Sequence, residues 1–452
     1  MRRPRHIVLT LCHGQDASHV PSHLDYLIGA GRPATSIDRG RVDAALRLGG
    51  NFRTVGVYAA AASLGRAAEQ NQRWSDSEHE TGLARTYKVE LADAGSEERV
   101  LDALRALPNV ESAAPQTYAV APVTAAAPSR PEQALSEAAW APHERVHAPE
   151  AHKLEAGDER VTVGLVDTGV ALGHPELQRK LLAGYDTVDI GVGETPEGMR
   201  LVGDSRGDDF TPSDCVGHGT HVAGIVGATG WELPPGIAGL SLLLPVRVLA
   251  AAIARGAERP AGVGALPDIS SGLKVAIDLG ARVLNLSFGT AESDVDPHGP
   301  RPHADVVSYA ERYGCVLVAA SGNSGRAERY YPAALPEVIA VGSVDETGGR
   351  SHFSTYGDHV ALSAPGEHIV SSGLVGLRSG SGTSYAAPFV TGAAALAVAH
   401  ARRRGRDLTP AQVRELLVST VTPLPGGSSP ETGAGLLNVA AALRRLDEEA
   451  AA

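Results

Sequence analysis

Between Val161 and Leu362 short apolar runs punctuate the chain, separated by amphipathic stretches. The runs are Val161–Val166, Val246–Leu249, Val283–Leu286, Val316–Ala319, Val338–Val341 and Val360–Leu362. They are nearly continuously apolar, so each predicts a strand buried on both faces. The stretches between them include Ser271–Leu279 and Ala304–Tyr313, which read as helices. Strands alternating with helices predict an α/β fold with a parallel, doubly wound sheet flanked by helices. Two closing helices are predicted at Pro410–Thr420 and Leu436–Leu446.

The N-terminal part is patterned differently. Thr86–Leu91 alternates polar and apolar residues, as a half-buried strand does. Ser96-Glu97-Glu98 opens a helix with acids in its first turn, and Val100, Leu101, Leu104 and Leu107 mark its apolar face before Pro108 stops it. Val110–Val120 then predicts a second strand, interrupted at Pro115. Residues 86–122 are therefore expected to form a smaller α/β domain. Residues 1–85 hold a strand-like Ile7–Leu11 and helices near His23–Ile28 and Arg41–Leu48, and read as an extension to which no chemistry attaches. Residues 123–145, rich in Ala and Pro, suggest an exposed linker. The main domain is expected over 146–446, with a tail at 447–452.

Composition narrows the function classes. A chain of 452 residues exceeds one ordinary core. Its net charge of -12 disfavours a nucleic-acid partner. There is no apolar run of the roughly 20 residues that a membrane span needs. The start MRRPRHIVLTLC is basic and then apolar, but Ile7–Cys12 is short of the about 7–15 residues of a secretory core. Cys12, Cys215 and Cys315 are scattered and imply no disulfide framework. A cytoplasmic location is expected, with export by another route left open.

The candidate chemistry lies in short segments. Asp167 ends the first predicted strand of the main domain, followed by Thr168-Gly169. A buried aspartate there can orient an imidazole and stabilise its charged form; the plainer reading is a turn. The chain holds this Asp-Thr-Gly once, which removes the paired-carboxylate reading. His218 sits in Gly217-His218-Gly219-Thr220-His221 at the start of an apolar helix, where it can act as a general base. His221, one turn on, is expected to pack against the sheet; a zinc pair would need i, i+4 spacing. Ser384, in Gly382-Thr383-Ser384, opens a long Ala-rich helix whose N-terminal N–H groups favour an oxyanion, unless it is only a helix cap. Pro388 is tolerable there if it lies in the first turn. Asn323, in the loop after the Val316–Ala320 strand, can donate its side-chain amide to the same oxyanion, beside the backbone N–H of Ser384.

These segments, in the chain order Asp, His, Ser, resemble the subtilases of the subtilisin superfamily. The likeness runs from about Trp140 to Leu443 and includes His174-Pro175-Glu176-Leu177, Asp214–Gly224, Asn285–Gly289, Ala319–Asn323, Tyr331-Pro332-Ala333, Gly382–Pro388 and Gly433–Ala441. It implies a serine endopeptidase using Asp167, His218 and Ser384, with an oxyanion hole from Asn323 and Ser384. A substrate strand would pair along Leu286–Gly289, and a pocket lined by Ser287, Phe288, Gly289, Ser321, Gly322 and Asn323 would take the side chain before the scissile bond. Tyr330 stands where relatives often carry a small residue, so a narrowed pocket favouring small or medium side chains is expected.

The resemblance also implies partners and cofactors. The partner is a protein or peptide substrate, and no cofactor is required for the chemistry. Residues 86–122 resemble a subtilase propeptide, so the N-terminal region is expected to act as an intramolecular inhibitor, with Ala121–Arg130 as a tail cut in cis; the alternative is a permanent domain. The family's calcium loop follows the histidine helix and is rich in Asn and Asp. Here Thr229–Gly236 carries one carboxylate, which leaves structural calcium unsupported by that loop. Between Asp186 and Asp214 lie eight acidic residues and two arginines, read as a solvated insertion, with calcium or basic-substrate binding as alternatives. Cys215 is read as a thiol beside the cleft or a passive packed one. A catalytically silent binding scaffold and an acyl hydrolase or peptide ligase are the competing functions.

Overall fold

The computed structural model describes residues 2–64, 74–121, 132–191, 198–207 and 210–451. The N-terminal domain comprises, in chain order, β1 (Arg2–Leu11), α1 (His23–Leu27), α2 (Arg41–Leu46), β2 (Phe52–Gly56), α3 (Ala61–Leu64), α4 (Asp76–Glu80), β3 (Thr86–Leu91), α5 (Glu97–Arg105) and β4 (Val110–Ala121). β1 lies between β3 and β4, antiparallel to both, and β2 pairs outside β3. Ile7, Leu9, Leu11, Tyr87, Val89 and Leu91 share one face and pack with Val42, Leu46, Val100, Leu101 and Leu104 from α2 and α5. The boundary expected between residues 85 and 86 thus falls inside one sheet. β1 finds its partners far along the chain, with His6 opposite Glu90, a pairing that local patterning does not encode. Pro115 does not end β4. It sits at a register shift opposite β1, where a residue without an N–H is tolerated.

Two helices follow, α6 (Glu132–Arg145) and α7 (Ala148–Ala151). The segment expected as an exposed linker is helical over α6 and packed: Ala139 is buried with Ala228, Leu233 and Val370. The His143 ring stands 5.2 Å from Phe389. Alanine-rich composition served a close-packed helix as well as it would have served a linker.

The main domain continues with β5 (Val163–Asp167), β6 (Tyr185–Asp186), β7 (Met199–Val202), α8 (His218–Gly227), β8 (Leu243–Arg247), β9 (Ala250–Ala254) and β10 (Ala261–Ala265). Then come α9 (Leu266–Asp278), β11 (Val283–Leu286), β12 (Thr290–Ala291), α10 (Ala304–Arg312), β13 (Val316–Ala320), β14 (Tyr330–Tyr331), β15 (Val338–Val344) and β16 (Val360–Pro365). Last are β17 (Ile369–Ser372), β18 (Leu377–Gly380), α11 (Thr383–Arg403), α12 (Pro410–Ser419) and α13 (Val439–Ala451). The central sheet runs β16-β15-β13-β11-β5-β8-β6, and every pairing within it is parallel. Successive residues of a strand point to opposite faces. Val163, Leu165, Val316 and Val318 join the core under α8, α11 and α13. Val166, Leu317 and Ala319 join the core under α9 and α10. The doubly covered sheet read from the apolar runs is the one observed.

A second sheet joins the two domains. β4 leaves β1 and its last residues, Tyr118–Ala121, pair antiparallel with β10, giving the order β2-β3-β1-β4-β10-β9-β7. The acidic segment supplies β7, so it is not the solvated insertion expected. Asp186 is buried against Arg247, and Asp189 binds Lys88 of β3 at 2.8 Å. Asp186 and Asp189 are thus paired inside the molecule.

Candidate active site

Asp167 ends β5, and the N–H of Thr168 donates to its Oδ1 at 2.7 Å. The helix that carries His218 is set against this turn by Asp214. That carboxylate accepts from the N–H groups of Val216, Gly217 and Thr220 and from the hydroxyls of Thr220 and Thr168. Burial pushes the Asp214 carboxyl up, against these five bonds. Gly217, at φ 86°, turns the chain into the helix. At Gly219 a Cβ would lie 2.2 Å from the Gly169 carbonyl oxygen, so only glycine allows this approach. Its N–H instead donates to Thr168 Oγ1 at 2.9 Å. As a result His218 Nδ1 stands 2.7 Å from Asp167 Oδ1, both residues wholly buried. His218 Nε2 has no hydrogen-bond partner among the described residues.

Ser384 is the second residue of α11, after Gly382 at the N-cap. Pro388 therefore lies in the second turn, not the first. Lacking an N–H, it leaves the Ser384 carbonyl without its helical donor. Ser287 Oγ fills that vacancy at 2.8 Å, and Ser384 Oγ donates back to the Ser287 carbonyl at 3.1 Å. Asn285 Nδ2 donates to Ser287 Oγ, and Thr391 Oγ1 donates to Asn285 Oδ1. This buried chain of Thr391, Asn285 and Ser287 went unread in the sequence; the proline four residues after Ser384 was the signal for it. The His218 ring centroid is 5.5 Å from that of Tyr385, the residue next to Ser384.

Asn323 faces the same helix start. Its Oδ1 accepts from the N–H and the hydroxyl of Thr383, both at 2.9 Å, which leaves Nδ2 as the outward donor. A cavity of about 240 Å³ opens beside it, lined among others by Phe288, Gly289, Gly322, Asn323, Tyr330 and Ser384. The Tyr330 ring lies against both Gly289 and Gly322, close enough that a Cβ on Gly322 would come within 2.7 Å of it. Ser321 stays behind the cavity, buried, its hydroxyl donating to the Thr355 carbonyl. Val120 of β4 also lines this cavity and forms a bridge to Gly289, so the end of β4 lies between β10 and Gly289. Of the tail expected over Ala121–Arg130, all but Ala121 lies outside the described residues.

His221 makes no side-chain hydrogen bond among the described residues. It is buried with its ring centroid 4.3 Å from that of Tyr385, and burial holds its pKa well below the ordinary histidine value. Cys215 is an exposed free thiol, which overturns the packed reading. Among the described residues no group of three or more His, Cys, Asp or Glu side chains is placed to hold a metal ion. In the loop after α8 the N–H groups of Gly230, Trp231, Glu232 and Leu233 point at the carboxylate of Glu176.

Residues 158–435 match the subtilase family. A thermophilic serine proteinase of Bacillus sp. (strain AK1) is 34% identical over 328 residues, 70% of each chain. Thermitase of Thermoactinomyces vulgaris is 35% identical over 263 residues, covering 57% of this chain and 82% of its own. A solved protease from Pseudoalteromonas arctica PAMC 21717 superimposes with a TM-score of 0.57 at 27% identity, covering 69% of this chain and 97% of the other. The chain belongs to the subtilase family and is a subtilisin-like serine endopeptidase.

Proposed function

We propose that the enzyme cleaves peptide bonds through an acyl intermediate on Ser384, with His218 as general base and acid and Asp167 as its orienting partner. The observation that carries this is the 2.7 Å contact between His218 Nδ1 and Asp167 Oδ1, which leaves Nε2 without a partner among the described residues, with the His218 ring beside Tyr385 and the adjacent Ser384 lining one cavity with Asn323. A substrate N–H that takes the Ser287 carbonyl frees Ser384 Oγ to turn toward Nε2. The hydroxyl proton passes to Nε2 as Oγ attacks the scissile carbonyl. Negative charge on that oxygen is met by Asn323 Nδ2 and the Ser384 N–H. His218 then protonates the leaving amine, and water repeats the sequence on the acyl-enzyme.

The N-terminal domain acts on the same cleft as an intramolecular inhibitor. What supports this is the pairing of Tyr118–Ala121 with β10 and of Val120 with Gly289, the main-chain pairing an extended substrate would make. Tyr330 restricts the pocket to small or medium side chains, because its ring occupies the space over Gly289 and Gly322. The test is mass spectrometry of the full chain and its Ser384→Ala variant, with and without a peptide library. Loss of both N-terminal processing and peptide cleavage in the variant is expected. Unchanged processing would remove self-cleavage, and preferred cleavage after Phe or Lys would remove the role given to Tyr330.

A further inference from the structure

The loop from 228 to 239 closes the C-terminal end of α8, the helix that starts with His218. Its return strand caps the helix: Gly236, Ile237 and Ala238 donate their N–H groups to the carbonyls of Ala228, Ile225 and Val226. Two sets of backbone groups in this region point at side chains, and both side chains come from the turn after β5. The carbonyls of Gly227, Ala228 and Gly239 converge on the ammonium of Lys180, the first two at 3.0 and 3.3 Å. The carboxylate of Glu176 is filled from the other side. Its Oε2 accepts from Thr229 Oγ1 at 2.6 Å and from the N–H groups of Gly230 and Trp231 at 2.9 and 3.3 Å. Its Oε1 accepts from Glu232 and Leu233 N–H at 2.6 and 3.0 Å.

We propose that Lys180 and Glu176 hold this loop in place of a bound divalent cation. A cation site needs several oxygens turned inward at once. Here three converging carbonyls already surround an ammonium, and the nearby carboxylate, 1% exposed, faces N–H donors that would repel a metal ion. Burial opposes ionisation of Glu176, yet its hydrogen bonds hold its pKa below the usual carboxylate value, so the anion persists at neutral pH. The opposed charges are each matched to backbone of the right polarity, and neither needs an outside ion. Because both residues follow the strand of Asp167 and the loop follows the helix of His218, this pair ties together the two elements that meet in the active site.

The test uses the full chain carrying Ser384→Ala, to prevent self-digestion, and reads hydrogen exchange of the amides at 230–233 in calcium and in EDTA. Exchange in the parent is expected to be the same in both. In Glu176→Gln and in Lys180→Met it is expected to speed up by about tenfold or more, with or without calcium, as charged hydrogen bonds are lost. A parent whose loop loses protection in EDTA and regains it with calcium would overturn the proposal, even if neither variant folds. So would variants whose loop keeps the parental protection.

Discussion

Along the central sheet, β5, β11 and β13 bury Val163, Leu165, Val283, Val316 and Val318, with no charge among them. Where the N-terminal domain meets α9, Leu24, Leu27 and Ala59 pack with Val275, and Val57, Tyr58 and Leu83 with Ile269 and Leu273, but buried charges stand beside them. Lys88 of β3 lies 2.8 Å from Asp189 and 3.1 Å from Asp268. Lys274 of α9 lies 2.6 Å from both Glu78 of α4 and its own helix neighbour Asp278, with all three side chains no more than 2% exposed. Apolar burial is non-directional and tolerates many partners. A buried ion pair contributes little net stability against a well-packed apolar substitute, but a missing partner is costly. The sheet therefore supplies the stability, and the seam supplies the docking position of the N-terminal domain.

The largest expected break in this contrast is Lys274→Met. It leaves Glu78 and Asp278 buried without a counter-charge and should cost about 3–5 kcal/mol, read by denaturant unfolding of the inactive full chain. Core truncation comes next: Leu165→Ala should cost about 2–5 kcal/mol by opening a cavity between the sheet and α8. The two differ in character, because Glu78→Gln combined with Lys274→Met should recover part of the first loss, while no charge change recovers the second.

A pH effect of about 3 kcal/mol is expected at His143 of α6. Burial pushes its pKa down to about 4 from the ordinary histidine value of 6.5. The unfolded chain therefore binds more protons between those values, and stability falls as pH drops through that window. His143→Phe should flatten this part of the stability–pH curve. The smallest effect is expected at Arg312 and Glu80, paired across the seam but about half exposed. Arg312→Ala should change stability by about 0–1 kcal/mol, and less in high salt.

The sequence announced the parts whose information is local. Apolar runs gave the central strands to within a few residues, because a strand buried on both faces must be apolar throughout. Asp167, His218, Asn323 and Ser384 stood out because turns and helix starts demand particular neighbours, such as Gly217 and Gly219. The pairing of β4 with β10 was not legible: β9 and β10 read AAAIA and AGVGA, residues of low strand preference that only packing turns into strands. Nor was the role of the acidic segment, since the partners of Asp186 and Asp189 are Arg247 and Lys88, distant in the chain.

By itself, then, the sequence determined the doubly wound sheet and the residues gathered at its carboxyl edge, because periodicity and short motifs act over a few residues. Tertiary structure alone decided that β1 to β4 form one sheet, that the last of these strands reaches the cleft, and that Lys180 and Glu176 face the loop behind His218. Each of these depends on which backbone groups remain unpaired after the local elements form, and such groups find partners only when distant segments of the chain are brought together.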